Sequence, residues 1–200
     1  MKSSPSLVIF GREPIPGRVK TRLARDIGAE RAAAVYAMML ERTLVEAMAT
    51  GIPVVLSLAE DLTGCWLPPD GPRVEVQADG DLGRRMLEAF RLRFAEGADR
   101  VLLIGSDCPG ATRVHLLKAF EILSGVAVVL GPAEDGGYWA IGQRAPGVDC
   151  FSGVPWSSPG TLPATREKLR SGDVRWAETV TLADVDTAED LDLLDAVVDE

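Results

Sequence analysis

Five short apolar runs, at residues 7–10, 54–58, 74–77, 101–104 and 127–130, recur along the 200-residue chain, each bounded by Gly, Pro or Asp. Runs such as Val101-Leu102-Leu103-Ile104 lack the alternation of a half-solvated strand, so they predict strands covered on both faces. Amphipathic stretches at residues 29–49, 82–95 and 112–123 fill most of the intervals. Gly51, Gly97 and Gly125 follow them, where a left-handed helix cap is expected. A βαβα order of this kind specifies an α/β fold: a mainly parallel central sheet with helices on both sides. The later chain predicts a strand at 136–142, an irregular flap at 151–163, a helix at 162–170, a strand at 174–182 and a helix opened by residues 186–191. We find no repeat or linker, so residues 1–200 read as one domain.

The connection after the first strand carries the strongest chemical signal. Residues 10–23 gather Arg12, Arg18, Lys20 and Arg22 between Gly11, Pro14, Pro16 and Gly17, with Thr21 among them and Arg25 just beyond. The whole chain has a formal net charge of −9, so this cluster stands against the average. A strand-loop-helix junction brings backbone N–H groups, a helix start and flexible cations together, which suits a phosphate chain. Five residues separate Gly11 from Gly17, and Lys20 lies three past Gly17, so the spacing is not that of a Walker loop. The overall acidity argues against a nucleic-acid partner, which needs a broad positive surface. No apolar stretch approaches the ~20 residues that span a bilayer. The expectation is a soluble, cytoplasmic protein with a small anionic substrate, neither membrane nor nucleic acid. Cys65, Cys108 and Cys150 suggest neither a disulfide framework nor a thiolate zinc site, and the lone His115 sits in a helix start.

Two acidic segments complete the chemistry. Asp107, in Gly105-Ser106-Asp107-Cys108-Pro109, follows a buried strand at the sheet edge where open α/β folds bind ligands. It reads equally as a turn former. In Asp184-Val185-Asp186-Thr187, Asp186 or Thr187 reads as an ordinary helix N-cap, with Asp190 stabilising the helix start. Together the two carboxylates suit a hard cation such as Mg²⁺, which takes one or two carboxylates and completes its shell with phosphate and water. Whether Asp184 takes the place of Asp186 is open. Residues 78–86 contain Gly80, Asp81, Gly83 and Arg84: either a cap, or N–H groups and an arginine beside a nucleotide. Glu134 and Asp135, in a Glu-Asp-Gly-Gly turn, suggest acceptor binding or deprotonation. Cys108 has no histidine nearby in the pattern to activate it. Tyr36, Met38, Met39 and Leu40 make the long helix apolar on more than one side, compatible with deep burial in a monomer or a homodimer contact.

The ordered set Phe10 to Leu23, Gly80 to Met86, Gly105 to Gly110, Gly131 to Tyr138, Pro155-Trp156-Ser157 and Asp184 to Thr187 resembles a glycosyltransferase-like bacterial family, the transferase type associated with radical-SAM and selenium-domain proteins. The resemblance spans nearly the whole chain. It implies a Rossmann-like, three-layer GT-A type fold of the nucleotide-diphospho-sugar transferase superfamily, similar to guanylyltransferases acting on phospholactate and molybdopterin. By resemblance Asp107 and Asp186 are ligands of Mg²⁺ or Mn²⁺, and Arg12, Lys20 and Arg22 face nucleotide phosphates. Family members often have Ala-Lys where this chain has Gly11-Arg12.

The leading expectation is a transferase moving a nucleotidyl group from a nucleoside triphosphate to a small phosphorylated acceptor, with Lys20, Asp107, Glu134 and Asp135 as catalytic candidates. Gly11, Arg12, Gly17, Arg18, Lys20, Thr21, Arg22, Gly80, Asp81, Gly83, Arg84 and Ser106 are the nucleotide-contact candidates. Glycosyl transfer from a nucleotide sugar is the alternative, weakened by Gly105 and Pro109 flanking Asp107 where an Asp-x-Asp is common. A nucleotide-binding module without turnover ranks third.

Overall fold

The computed structural model describes residues 4–60 and 71–194; Cys65 lies outside them. In chain order the elements are β1 (Pro5–Gly11), α1 (Leu23–Ile27), α2 (Ala29–Met48), β2 (Val54–Leu58), β3 (Arg73–Val76), α3 (Leu82–Ala95), β4 (Arg100–Ile104), α4 (Arg113–Leu123), β5 (Val128–Pro132), β6 (Tyr138–Arg144), α5 (Thr161–Ser171), β7 (Trp176–Glu178) and a 3-10 turn (Ala188–Leu191). They form a seven-stranded sheet in the order β3-β2-β1-β4-β6-β5-β7. Neighbours pair in parallel except at β6, which runs against both β4 and β5.

The two-residue period of a strand sorts its side chains into two layers. Leu7, Ile9, Leu102 and Ile104 point into a core shared with Tyr36, Met39 and Leu40 of α2 and Leu116 and Phe120 of α4. Val8, Val101 and Leu103 point the other way, onto Met86 and Phe90 of α3 and Leu162 and Leu169 of α5. Both faces are therefore dry, which explains why the strands read as continuous apolar runs. The architecture is the expected three-layer, Rossmann-like α/β/α sandwich around a mainly parallel sheet. On α2, Tyr36, Met39 and Leu40 are buried while Met38, Val45 and Met48 face outward, so burial accounts for three of the four apolar residues singled out in the sequence.

Gly51 and Gly97 adopt the positive φ expected after their helices (71° and 97°), but Gly125 does not; α4 closes through bonds from Ser124 and Gly125 to carbonyls of its last turn. The expected 174–182 strand is shorter, β7 plus an isolated bridge between Ala133 and Leu182. The segment after Asp186 is a 3-10 turn with a reciprocal capping box between Thr187 and Asp190, leading into a helical stretch at 192–194. No helix among the described residues is long and apolar enough to cross a membrane.

Candidate active site

Parallel strands deliver their following loops to one rim of the sheet, and here those loops enclose a cleft of about 740 Å³. Its floor is set by strand order. β1 and β4 are adjacent, so the basic loop after β1 and the Asp107 loop after β4 emerge side by side. Tyr36 ties them together: its buried hydroxyl accepts from the Arg12 backbone N–H (2.9 Å) and shares a hydrogen bond with Ser106 Oγ (2.9 Å). Burial, and then the charge of Asp107, push that phenol above its ordinary pKa, so it stays a neutral bracket. A Cβ at Gly11 would stand in ordinary contact with the Tyr36 hydroxyl, at 3.4 Å.

The third segment arrives by backbone bonding. Leu182 bridges to β5, Glu134 N–H donates to the Leu182 carbonyl, and Val185 N–H donates to the Asp107 carbonyl at 3.0 Å. Val185 is fully buried and anchors this stretch. The Asp190 carboxylate accepts from the N–H groups of Asp186 and Thr187, which fixes Asp186 at the cleft. Asp186 is thus both part of a capped turn and a cleft residue.

Lys20 occupies the centre. Its ammonium lies 3.1 Å from Asp107 Oδ1 and 2.8 Å from Asp186 Oδ1, and its side chain is only 5% exposed while the carboxylates are 47% and 37% exposed. Burial by itself would lower the lysine pKa; the two carboxylates outweigh it and hold it raised. Arg22 adds a second cation on Asp186 at 3.3 Å. At the mouth Arg12 and Arg18 both reach Glu60, at 3.7 and 3.1 Å, with more than half of each side chain exposed. Exposed pairs of this type contribute at most ~1 kcal/mol and exchange readily for a better anion. Lys20 has φ +44° and Ser157, also in the cleft wall, φ +57°. Left-handed backbone at non-glycine residues is strain of a kind that gathers at binding sites.

The opposite wall carries Asp135, Asp184, Tyr138, Trp156 and Ser157. The Asp184 carboxyl is pushed up to about 6, chiefly by burial and then by the charge of Asp135. Trp156 packs edge-on against Tyr138. Cys108 is buried and its thiol is pushed far up, first by burial and then by Asp184 and Asp107, which disfavours a thiolate. His115 caps α4 through Thr112.

Of the candidates from the sequence, Gly11, Arg12, Arg18, Lys20, Thr21, Arg22, Ser106, Asp107, Asp135 and Asp186 line the cleft. Gly17, Gly80, Asp81, Gly83, Arg84 and Glu134 are not in its lining. Asp81 caps α3 by accepting from Arg84 N–H, and Arg84 pairs with Glu88 one turn on. Gly83 makes room for the Trp156 indole, which a Cβ would meet at 2.6 Å. Glu134 is exposed. From this segment it is Arg85, not Arg84, that lines the cleft, with its Nε donating to the Gly80 carbonyl. Gln77, Tyr36 and Asp184 join it in the lining.

A family model described as an uncharacterized protein conserved in bacteria, DUF2064, matches residues 42–158, more than half of the chain. The chain belongs to this family. Comparison with curated proteins gives no match. Among solved structures it is similar to one from Desulfovibrio desulfuricans G20, provisionally described as a nucleotide-diphospho-sugar transferase: 32% identity, TM-score 0.90, covering 96% of this chain and 86% of that one. More distant likenesses, which speak to fold alone, include CMP:2-keto-3-deoxy-manno-octonic acid synthetase complexed with CTP (14% identity, TM-score 0.62, 98% and 99% covered). A second is Rv0371c of Mycobacterium tuberculosis H37Rv complexed with manganese (20%, TM-score 0.58, 97% and 98%). The fold is that of nucleotidyl and nucleotide-sugar transferases of the GT-A type.

Proposed function

We propose that this member of the family is a metal-dependent transferase acting on an activated nucleotide, most simply a nucleotidyltransferase that moves a nucleoside monophosphate unit from a triphosphate to a small phosphorylated acceptor. One observation carries the reading. The Lys20 ammonium touches Asp107 and Asp186 at once, so the two carboxylates converge on a single cation-sized position at the base of a cleft whose mouth holds Arg12, Arg18 and Arg22.

That ammonium is a stand-in for a metal ion, and two carboxylates with room for water and phosphate make a donor set that Mg²⁺ or Mn²⁺ accepts. A divalent cation held by Asp107 and Asp186 would supply Lewis-acid neutralisation of the phosphates. The chain's own groups do the rest. Arg12, Arg18 and Arg22 leave their exposed carboxylate partners to hold the β- and γ-phosphates. Lys20 balances charge on the departing oxygen. An acceptor oxygen attacks the α-phosphorus, the bond to the β-phosphate oxygen breaks, and pyrophosphate leaves along the arginine-lined side. One well-aimed donor in such a site is worth ~3 kcal/mol.

The acidic wall favours a second reading. Asp135 and the half-buried Asp184, with its raised pKa, suit deprotonation of an acceptor hydroxyl, which glycosyl transfer from a nucleotide sugar needs. The D. desulfuricans likeness supports that alternative, while the narrower radical-SAM and selenium-domain association rests on the sequence motifs. Calorimetric titration with GTP, CTP, UDP-glucose and GDP-mannose, with and without Mg²⁺, separates the readings. Metal-dependent binding of a triphosphate alone supports nucleotidyl transfer. Binding of a nucleotide sugar without a triphosphate selects glycosyl transfer, and binding of none overturns both.

A further inference from the structure

The position between Asp107 and Asp186 is already filled by a cation of the protein's own. Lys20 Nζ is within hydrogen-bond reach of both carboxylates and nearly closed to solvent, and Arg22 takes the second oxygen of Asp186. Both carboxylates of this position thus already have cationic partners of the protein's own, with Asp135 and Asp184 on the facing wall of the cleft. A divalent ion entering alone must crowd or displace the ammonium that sits between the two carboxylates, in a pocket partly shielded from water where like-charge repulsion is much stronger than in bulk. A triphosphate reverses the balance, because it brings about four negative charges and a rival partner for the ammonium. The lysine backbone is also held at φ +44°, a left-handed conformation that non-glycine residues adopt only where the surroundings impose it.

Resting on the metal-site reading above, we infer that Lys20 and the divalent cation are alternative occupants of the Asp107–Asp186 position. Metal then binds this protein only together with a polyphosphate, which draws Lys20 off the carboxylates as the ion takes its place. Lys20 is in this sense an internal counter-ion that sets the order of binding, in addition to balancing charge on the leaving group. Phosphate recruitment and metal entry become one event, and the free protein is shielded from loading metal without nucleotide.

Mn²⁺ binding followed by electron paramagnetic resonance, which reads free Mn²⁺ and needs no turnover, tests this. The native protein is expected to bind Mn²⁺ alone weakly and to bind it well in the presence of the α,β-methylene analogue of GTP or CTP. Lys20→Met should bind Mn²⁺ alone about 10- to 100-fold more tightly than the native protein. Lys20→Arg, which keeps a cation in place, should stay near the native affinity. Lys20→Met binding Mn²⁺ alone no better than the native protein, with circular dichroism showing both folded, overturns the exchange. Should Asp107→Asn and Asp186→Asn both retain native Mn²⁺ binding in the presence of the analogue, the metal-site reading itself fails, and the exchange with it; loss of binding in those variants beside an unchanged Lys20→Met overturns the exchange alone.

Discussion

Among the described residues, the Arg93 and Lys20 side chains are both nearly closed to solvent and paired with carboxylates, and they do different things. Arg93, on α3, is 2% exposed and pairs with Glu75 of β3 at 2.9 Å and with Glu96 at 3.2 Å. Lys20 is 5% exposed and pairs with Asp107 and Asp186. Burial and ion pairing are nearly equal, so neither property marks a site. Arg93 joins elements 18 residues apart and sits in regular helix, stapling α3 to the strand beside it. Lys20 joins segments 166 residues apart from a left-handed backbone position, and its two partners open onto the main cleft. A buried charge that closes local packing away from the cleft is structural; one whose partners both line the cleft is available for chemistry.

Asp107→Asn should break the pair on the functional side: transferase activity is expected to fall by about 10³-fold, with a melting temperature within a few degrees of native. A large loss of stability with activity per folded molecule unchanged would make Asp107 equivalent to Glu75. Arg93→Ala is the mirror experiment. Leaving Glu75 with only the exposed Arg73, at 3.6 Å, should cost up to about 3 kcal/mol in urea unfolding and leave nucleotide affinity at its native value. Gly83→Ala sharpens the comparison at a neighbouring point of α3. Overpacking against Trp156 costs about 1–3 kcal/mol, offset by about 1 kcal/mol of helix propensity, so a net loss of up to about 2 kcal/mol is expected by the same measurement.

The smallest effect concerns a carboxylate fixed by hydrogen bonds. Burial raises the Asp149 pKa, but bonds from the Ser152 hydroxyl and from the N–H groups of Ser152 and Phe151 together outweigh it and hold it low. A depressed folded value means that its stabilisation is present above the unfolded pKa, near ~3.9, and is lost as pH falls through the folded one. The stability gap between native protein and Asp149→Asn should therefore narrow on acidification from pH 6 toward pH 2.

Much of this was readable from the chain because strands buried on both faces advertise themselves, and because strand ends in a parallel sheet are where loops gather. That logic carried the residue 11–22 loop and Asp107. Asp186 was readable only as one of two things, cap or ligand, and the structure has it in a capped turn and beside Lys20 at once. Arg85 was missed in favour of Arg84 because adjacent helix residues point about 100° apart, and the phase of α3 is set by what it packs on. Gly83, a nucleotide-contact candidate in the sequence, makes room for Trp156, a contact between distant segments that no local pattern encodes. The pairing of Lys20 with both aspartates is long-range in the same way.

On the proposed function, Asp107 and Asp186 form one cation position coupled to a phosphate site. Crystals grown with Mn²⁺ and a non-hydrolysable triphosphate, measured for anomalous scattering, address it directly. The account predicts a single manganese peak bridging the Asp107 and Asp186 carboxylates, with the Lys20 ammonium moved onto the phosphates. A peak between Asp135 and Asp184, or a triphosphate bound with Lys20 still clasped by both aspartates, would contradict it.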